Sequence, residues 1–264
     1  MKIALIGAGN VAWHLGKALY GAGHEIVAVY SPTSGHREAL AKELAPAIPL
    51  PSPDLTATDA ELVLIAIPDA ALASVASTIK VAKGTIVAHN SGSQPLAVLQ
   101  SITGGRAGVF YPLQTFSKSK PVDFKSIPVL LETEDENTLQ TLQAVAASIT
   151  KEVHLVDSTK RKQLHLAAVF ACNFTNHLLG ISRTLLHDAQ LPDSLLQPLI
   201  QETIAKALQQ HPFQVQTGPA VRHDHNVIDE HMQMLQEHPT YQQVYRLLTQ
   251  SIQEQHMNGK STEE

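Results

Sequence analysis

The chain opens on an apolar run, Ile3-Ala-Leu-Ile6, that meets a G-x-G-x-x-A turn at Gly7, Gly9 and Ala12 and continues at once as His14-Leu-Gly-Lys-Ala-Leu19. This order specifies a strand, a phosphate turn and a helix start. Such a turn needs Gly7 for the tight bend and Gly9 so that main chain can approach a diphosphate. It also needs a residue as small as Ala12 for the helix to pack on the strand. The opening amides around Asn10 and Val11 have no partner inside the helix and offer an anion both hydrogen bonds and the positive end of the helix dipole. A second strand, Glu25-Ile-Val-Ala-Val-Tyr30, follows within the same unit. That context separates a dinucleotide site from an ordinary glycine turn.

The bulk composition narrows the function classes. A chain of 264 residues, 44% hydrophobic, can bury a full core as one large domain or two of ordinary size. With a net charge of −5 and no basic stripe interleaved with aromatics, no nucleic-acid partner is expected. The tight basic run Lys160-Arg-Lys162 reads either as a solvated helix start or as a cluster facing a substrate carboxylate. Cys172, the one cysteine, excludes an internal disulfide, fits a reducing compartment, and reads as a small core residue. A start directly on a core strand leaves no room for a signal peptide. No apolar run approaches the ~20 residues that cross a bilayer, so a soluble, cytoplasmic protein without a membrane partner is expected.

Composition shifts near residue 155. Eleven of the fourteen glycines precede residue 110, and ten of the fourteen histidines lie from His154 onward, which predicts two domains, 1–156 and 157–264. In the first, residues 2–6, 25–30, 61–67, 85–89, 107–111, 127–132 and 152–156 read as strands, and 11–21, 35–45, 69–81 and 135–149 as helices. Continuous runs such as Leu62-Val-Leu-Ile-Ala-Ile67 imply strands buried on both faces. The fold class is therefore α/β, with a doubly wound, mostly parallel sheet followed by an all-α domain. The proline-rich segment 45–53 is expected to cross the sheet edge as irregular strand and loop. Beyond residue 157, Ala167, Ala171, Phe174, Leu178, Ile181 and Leu185 recur at steps of three and four, predicting one long helix with an apolar stripe. A second helix opens after Pro192-Asp193-Ser194, further helices cover 224–237 and 239–256, and the tail from Asn258 reads as disordered.

Cofactor choice is read about 20 residues past the glycines, where an acid would bind the ribose of NAD. No acid stands there. Ser31, Thr33, Ser34 and Arg37 instead offer hydroxyls and a guanidinium suited to the 2′-phosphate of NADP, with Ser34 also the expected helix cap. The ends of the fourth and fifth strands, with Ile67, Pro68, Asn90 and Ser91, meet at the carboxyl edge where such sheets bind ligands. Pro68 starts the next helix there, and Asn90 and Ser91 can donate to the nicotinamide half. His89 reads as a structural histidine or a proton donor. Around Thr217-Gly-Pro219, Arg222 reads as a clamp for a substrate carboxylate or as part of a turn before a helix that Asp224 caps. His223, Asp224, His225 and His231 match no zinc spacing, so no metal is expected.

At these residues the chain resembles a known group. Its first unit is similar to the Rossmann domain of the 6-phosphogluconate dehydrogenase, ketopantoate reductase and pyrroline-5-carboxylate reductase superfamily. The whole chain resembles, more specifically, the bacterial family that joins a Rossmann-like domain to a helical domain of unknown function. The matching stretches are Gly7–Ala12, Ile67-Pro-Asp69, His89-Asn-Ser-Gly92, Tyr111-Pro-Leu-Gln-Thr-Phe116, His165 to Asn173, and Thr217 to Asp224. The family usually has His where Tyr111 stands and Gly where His223 stands. The resemblance implies hydride transfer between NADP(H) and a small carbonyl, imine or hydroxy acid, ketopantoate-like reduction included. It further implies that substrate is held between the sheet edge and the first long helix of the helical domain, and that the helical domain forms a homodimer. A lysine and asparagine one turn apart on that helix, found in β-hydroxyacid dehydrogenases, are absent.

On the same helix, about 100° per residue places His165 and Asn176 close in azimuth and Asn173 roughly 80° away. These are the catalytic candidates. His165 would donate a proton, since imidazole titrates near neutral pH, and Asn173 would orient substrate; the alternative for His165 is an ordinary buried or interface residue. Tyr111 and Arg222 are the expected substrate-binding residues. Two rival functions remain open: an NADP-binding sensor or scaffold without turnover, and an interaction protein that binds no nucleotide.

Overall fold

The computed structural model describes residues 1–260. Eight strands form one sheet: β1 (Lys2–Ile6), β2 (Glu25–Tyr30), β3 (Ile48–Leu50), β4 (Leu62–Ile65), β5 (Ile86–His89), β6 (Arg106–Pro112), β7 (Val129–Glu132) and β8 (Val153–Leu155). Their spatial order is β3-β2-β1-β4-β5-β6-β7-β8. The chain order reverses beside β1, where the glycine turn leaves the carboxyl edge, and this is the crevice at which open α/β sheets take ligands. Every pairing is parallel except β6 with β7, where Val109 faces Glu132 and Pro112 faces Val129. The expected irregular segment at 45–53 supplies the edge strand β3, and Pro49 sits where its missing N–H costs no internal ladder bond.

The alternation along β1 explains the layers. Ile3 and Leu5 pack on one face with Leu15 and Leu19 of α1 (Asn10–Gly21), Leu40 of α2 (Ser34–Glu43) and Leu142 of α4 (Glu136–Ala147). Ala4 and Ile6 pack on the other with Leu72 and Ala76 of α3 (Asp69–Thr78). Both sets are 0–2% exposed, at about 1.5–3 kcal/mol for each large side chain removed from water. Two sheet faces covered by helices is the doubly wound arrangement the apolar runs predict.

A helical stretch of 31 residues, Ser158–Asp188, follows β8. It comprises α5 (Ser158–Ala168), a π-helical segment Val169–Phe174 and α6 (Thr175–Asp188). The chain divides into two compact units, Met1–Asn173 and Phe174–Glu264. The first thus extends past the expected boundary at 156 because α5 is fastened to the sheet. Asp157 caps it by accepting from the Lys160 amide, and Ser158 and Arg161 both bond Glu132 at the end of β7. The basic run is a solvated helix start at its two lysines only. Arg161 is fully buried and ion-paired, between exposed Lys160 and Lys162.

The second unit contains α6, α7 (Gln197–Gln209), α8 (His225–Met234) and α9 (Pro239–Lys260). Asp224 caps α8 as expected, accepting from the Val227 amide. Helix α9 continues through Asn258 to Lys260, so that part of the expected disordered tail is helical; 261–264 lie outside the described residues. No residue of α6, α7 or α8 is buried. The predicted stripe is thus uncovered: Ala171 and Phe174, and then Leu178 and Leu185 of α6, are exposed. Cys172 is exposed as well, correcting its reading as a core residue. By length and composition the stretch Ser158–Asp188 could cross a membrane. Polar residues punctuate it, so no uninterrupted apolar run marks it in the sequence.

Candidate active site

The glycine turn is built as its sequence requires. Gly7 has φ +109°, and a Cβ there would lie 2.1 Å from the Ala66 carbonyl oxygen; only glycine fits. Nothing lies within 4 Å of where a Cβ on Gly9 would point, so the main chain there is open. Gly9 caps α1 without a side-chain hydrogen bond, and the first turn holds no acid. Open backbone and uncapped amides fit a diphosphate. Ala12 is fully buried, as close packing of helix on strand demands. Val11 is half-buried, and the Asn10 side chain turns away to donate to the Phe116 carbonyl at 3.0 Å.

At the end of β2, Ser31 is buried and its carbonyl accepts from the Arg37 guanidinium at 3.1 Å. Thr33, not Ser34, occupies the cap position of α2, and it makes no capping bond. Ser34 begins the helix instead. Thr33 and Ser34 are exposed, and their hydroxyls with the Arg37 guanidinium are a donor set suited to a phosphate monoester.

Across the carboxyl edge, Ile67 and Pro68 lead into α3, with Pro68 at its cap. Asn90 and Ser91 both make hydrogen bonds within the fold. The Asn90 amide donates to the Phe110 carbonyl. Buried Ser91 accepts through Oγ from the Ser93 and Gln94 amides at 3.2 and 3.0 Å. His89 is fully buried, and its Nδ1 accepts from the Ser91 amide at 3.1 Å. Burial, reinforced by the Arg161 guanidinium, holds its pKa down to about 4, so the ring is neutral at physiological pH. This is the structural histidine of the two readings.

Arg161 fills the space beneath. Its guanidinium donates to the carbonyls of Ser91 (3.2 Å) and Gln94 (2.6 Å), to Ser158 Oγ (3.2 Å) and to Glu132. Glu132 also accepts from the Ser158 hydroxyl, and the Leu96 amide donates to that hydroxyl. Nothing in the residue spacing points to this network, in which Arg161 reaches partners 29 to 70 residues away. It locks the loop after β5 and the start of α5 together.

One turn beyond Arg161 on α5, His165 Nδ1 lies 3.2 Å from the hydroxyl of Tyr111, near the end of β6. The rings meet edge-on over Gly92, where a Cβ would lie 2.6 Å from His165 Nδ1 and 2.8 Å from the tyrosine oxygen. Burial, together with the nearby Asp69 carboxylate, raises the Tyr111 pKa. The phenol therefore stays protonated, and its hydroxyl can donate to Nδ1 or accept from Nδ1–H according to the tautomer and charge of the imidazole. Asp69 itself accepts from Ser93 Oγ.

The other helix candidates are not gathered here. Asn173 is exposed and lies in the π-helical segment, and Asn176 is exposed in the second unit. Asn176 lines a groove of about 680 Å³ with Gly180 and Arg183. Arg222, in the same unit, is exposed. No group of three metal-competent side chains occurs among the described residues.

Residues 1–113 match the Rossmann-like domain family, and 127–252 match the domain of unknown function DUF2520. Among solved structures, a candidate NADP oxidoreductase from Bacteroides fragilis is 40% identical, over 96% of this chain and 98% of that one, with a TM-score of 0.86. A Thermotoga maritima protein is 20% identical over 98% and 99% of the two chains, with a TM-score of 0.68. A reductive aminase from Aspergillus terreus, solved with NADPH and ethyl-5-oxohexanoate, is 14% identical over 98% and 94%, with a TM-score of 0.70. At those lower identities the likeness is one of fold. No curated protein matches the chain.

Proposed function

Since the chain belongs to the family that joins a Rossmann-like domain to the DUF2520 domain, we propose that it is an NADP-dependent oxidoreductase acting on a small C=O or C=N substrate. The observation that carries this reading is the Tyr111–His165 pair, packed over Gly92 at the carboxyl edge of the sheet. Gly7, Gly9 and the opening amides of α1 would hold the diphosphate, and Thr33, Ser34 and Arg37 the 2′-phosphate. Bound NADPH supplies the hydride. The NADP oxidoreductase and NADPH-bound reductive aminase of similar fold support the cofactor choice.

The side chains contribute as follows. The imidazolium form of His165 donates through Nδ1–H to the Tyr111 hydroxyl, which orients the ring, and gives its Nε2 proton to the carbonyl oxygen as hydride reaches carbon, or to the nitrogen of a neutral imine that hydride then reduces as the cation, leaving neutral imidazole. Buried Arg161 sets the height of α5 and hence the reach of His165. Its charge is matched by Glu132, whereas the Asp69 carboxylate is bonded to the neutral Ser93 hydroxyl and acts electrostatically on Tyr111. A site with that balance favours a cationic imine over a carboxylate-bearing oxo acid. A ketopantoate-like acid would need a free cation, and Arg222 is the residue the sequence offers.

Turnover tests the reading. NADPH consumption with cyclic imines, carbonyl–amine mixtures and small 2-oxo acids should show reduction of the imines first. His165→Ala and Tyr111→Phe should lower kcat about a hundredfold while leaving NADPH affinity within about twofold. Full activity in both variants would overturn the assignment. Tight NADPH binding with no substrate reduced would favour the sensor.

The helical unit fits a homodimer. Leu199, Leu208, Met234 and Leu247 are 62, 83, 71 and 68% exposed, and apolar faces of this extent call for a covering surface. Light scattering showing a stable monomer would remove that reading. We place the enzyme in the cytoplasm, where its single thiol stays reduced.

A further inference from the structure

The loop after β6 is fastened back onto the glycine turn. Asn10 Nδ2 donates to the Phe116 carbonyl at 3.0 Å and His14 Nε2 to the Ser117 carbonyl at 2.8 Å. The His14 ring stacks on Phe116 with centroids 5.6 Å apart. These contacts seat Lys118 at the turn, where its ammonium donates to the Ala8 carbonyl at 3.0 Å and stands 4.8 Å from the centre of the Trp13 ring. Lys17 approaches the same ring at 5.5 Å, but Glu43 holds its charge at 2.8 Å. Among the described residues Lys118 meets a carbonyl and a ring face, and neither cancels a positive charge. An ammonium carries three donors, so two are left over in the loop that borders the open backbone of Gly9.

Resting on the reading of this turn as a dinucleotide site, the geometry points to Lys118 as a binding residue for the cofactor diphosphate, supplied by the loop and not by the strand-turn-helix unit. Its four-carbon stem allows the ammonium to leave the Ala8 carbonyl for a phosphate oxygen. Asn10, an expected cofactor contact, then serves differently, by holding the loop that carries the lysine. Because Trp13 is the single tryptophan, the movement has its own optical reporter.

The test needs no turnover. The full-length protein and its Lys118→Met and Lys118→Arg variants are titrated with 2′-phosphoadenosine diphosphoribose, which contains the diphosphate, and with 2′-AMP, which lacks it. Calorimetry and tryptophan emission are the readouts. Lys118→Met should bind the first ligand about tenfold more weakly and 2′-AMP within about twofold of the wild type, and Lys118→Arg should keep most of the affinity. Only the first ligand should change the emission of the wild type, and the change should vanish in Lys118→Met. Unchanged affinity for the diphosphate ligand in Lys118→Met overturns the assignment. Equal weakening toward both ligands does so too, since that marks general damage to the turn. A wild type that binds neither ligand overturns the dinucleotide reading, and the role of Lys118 with it.

Discussion

Acid should weaken the sheet domain through His89. The ring is fully buried, with Nδ1 accepting from the Ser91 amide. Burial lowers its pKa from the ordinary 6.5 to about 4, and the Arg161 guanidinium adds to the effect. The Pro95 carbonyl and the carboxylates of Glu132 and Asp69 pull weakly the other way. The unfolded chain therefore takes up a proton below pH 6.5 that the folded chain refuses until near pH 4. Stability from this group is complete above pH 6.5 and is lost progressively as the pH falls toward 4. At ~1.4 kcal/mol per pH unit for one proton, the full interval is worth about 3 kcal/mol, and the part down to pH ~5 about 2 kcal/mol. Urea denaturation of the wild type and His89→Asn at a series of pH values isolates it, because the other titrating groups are common to both. The wild type, more stable at neutral pH, should lose about 2 kcal/mol more than the variant on going to pH ~5. Parallel curves for the two proteins would refute the claim that His89 is held neutral by burial.

Gly92→Ala should lower kcat at least tenfold with little change in NADPH affinity, because its Cβ would push Tyr111 and His165 apart; steady-state kinetics and calorimetry check this. Arg161→Met leaves Glu132, whose side chain is 18% exposed, without its cation. It should cost about 3–5 kcal/mol in urea denaturation, and the double variant with Glu132→Gln should recover part of that loss. Arg37→Ala should weaken NADPH binding about tenfold or more and leave NADH within about twofold, as fluorescence titration would show.

Much of the architecture is readable in the chain because burial on both faces writes itself as unbroken apolar runs. Leu62 to Ile65 and Ile86 to His89 are strands for that reason, and Gly7 occupies the one conformation its neighbours permit. The direction of β7 is not readable, since Val129-Leu-Leu-Glu132 has the same composition whichever way it runs. Its reversal brings the end of β7 toward the start of α5, where Glu132 meets Ser158 and Arg161. Arg161 itself reads as surface charge in a run of three cations. Only a carboxylate and carbonyls up to 70 residues away in sequence, converging on it, make its burial tolerable. Local spacing likewise cannot pair Tyr111 with His165, 54 residues apart. The helical wheel that joins His165 to Asn176 assumes 3.6 residues per turn throughout, which the π-helical segment breaks.

That wide segment makes the long helix sensitive to chain length in a peculiar way. Removing one residue between Val169 and Phe174 would let the coil rewind to its ordinary pitch and swing the whole downstream half about its own axis by about 100°. The aliphatic ridge of α6 would then point in a new compass direction with its composition nearly intact. A shortened variant could keep its helicity and its sheet yet lose whatever mates with that ridge, so phase, and not content, is what the irregular turns preserve.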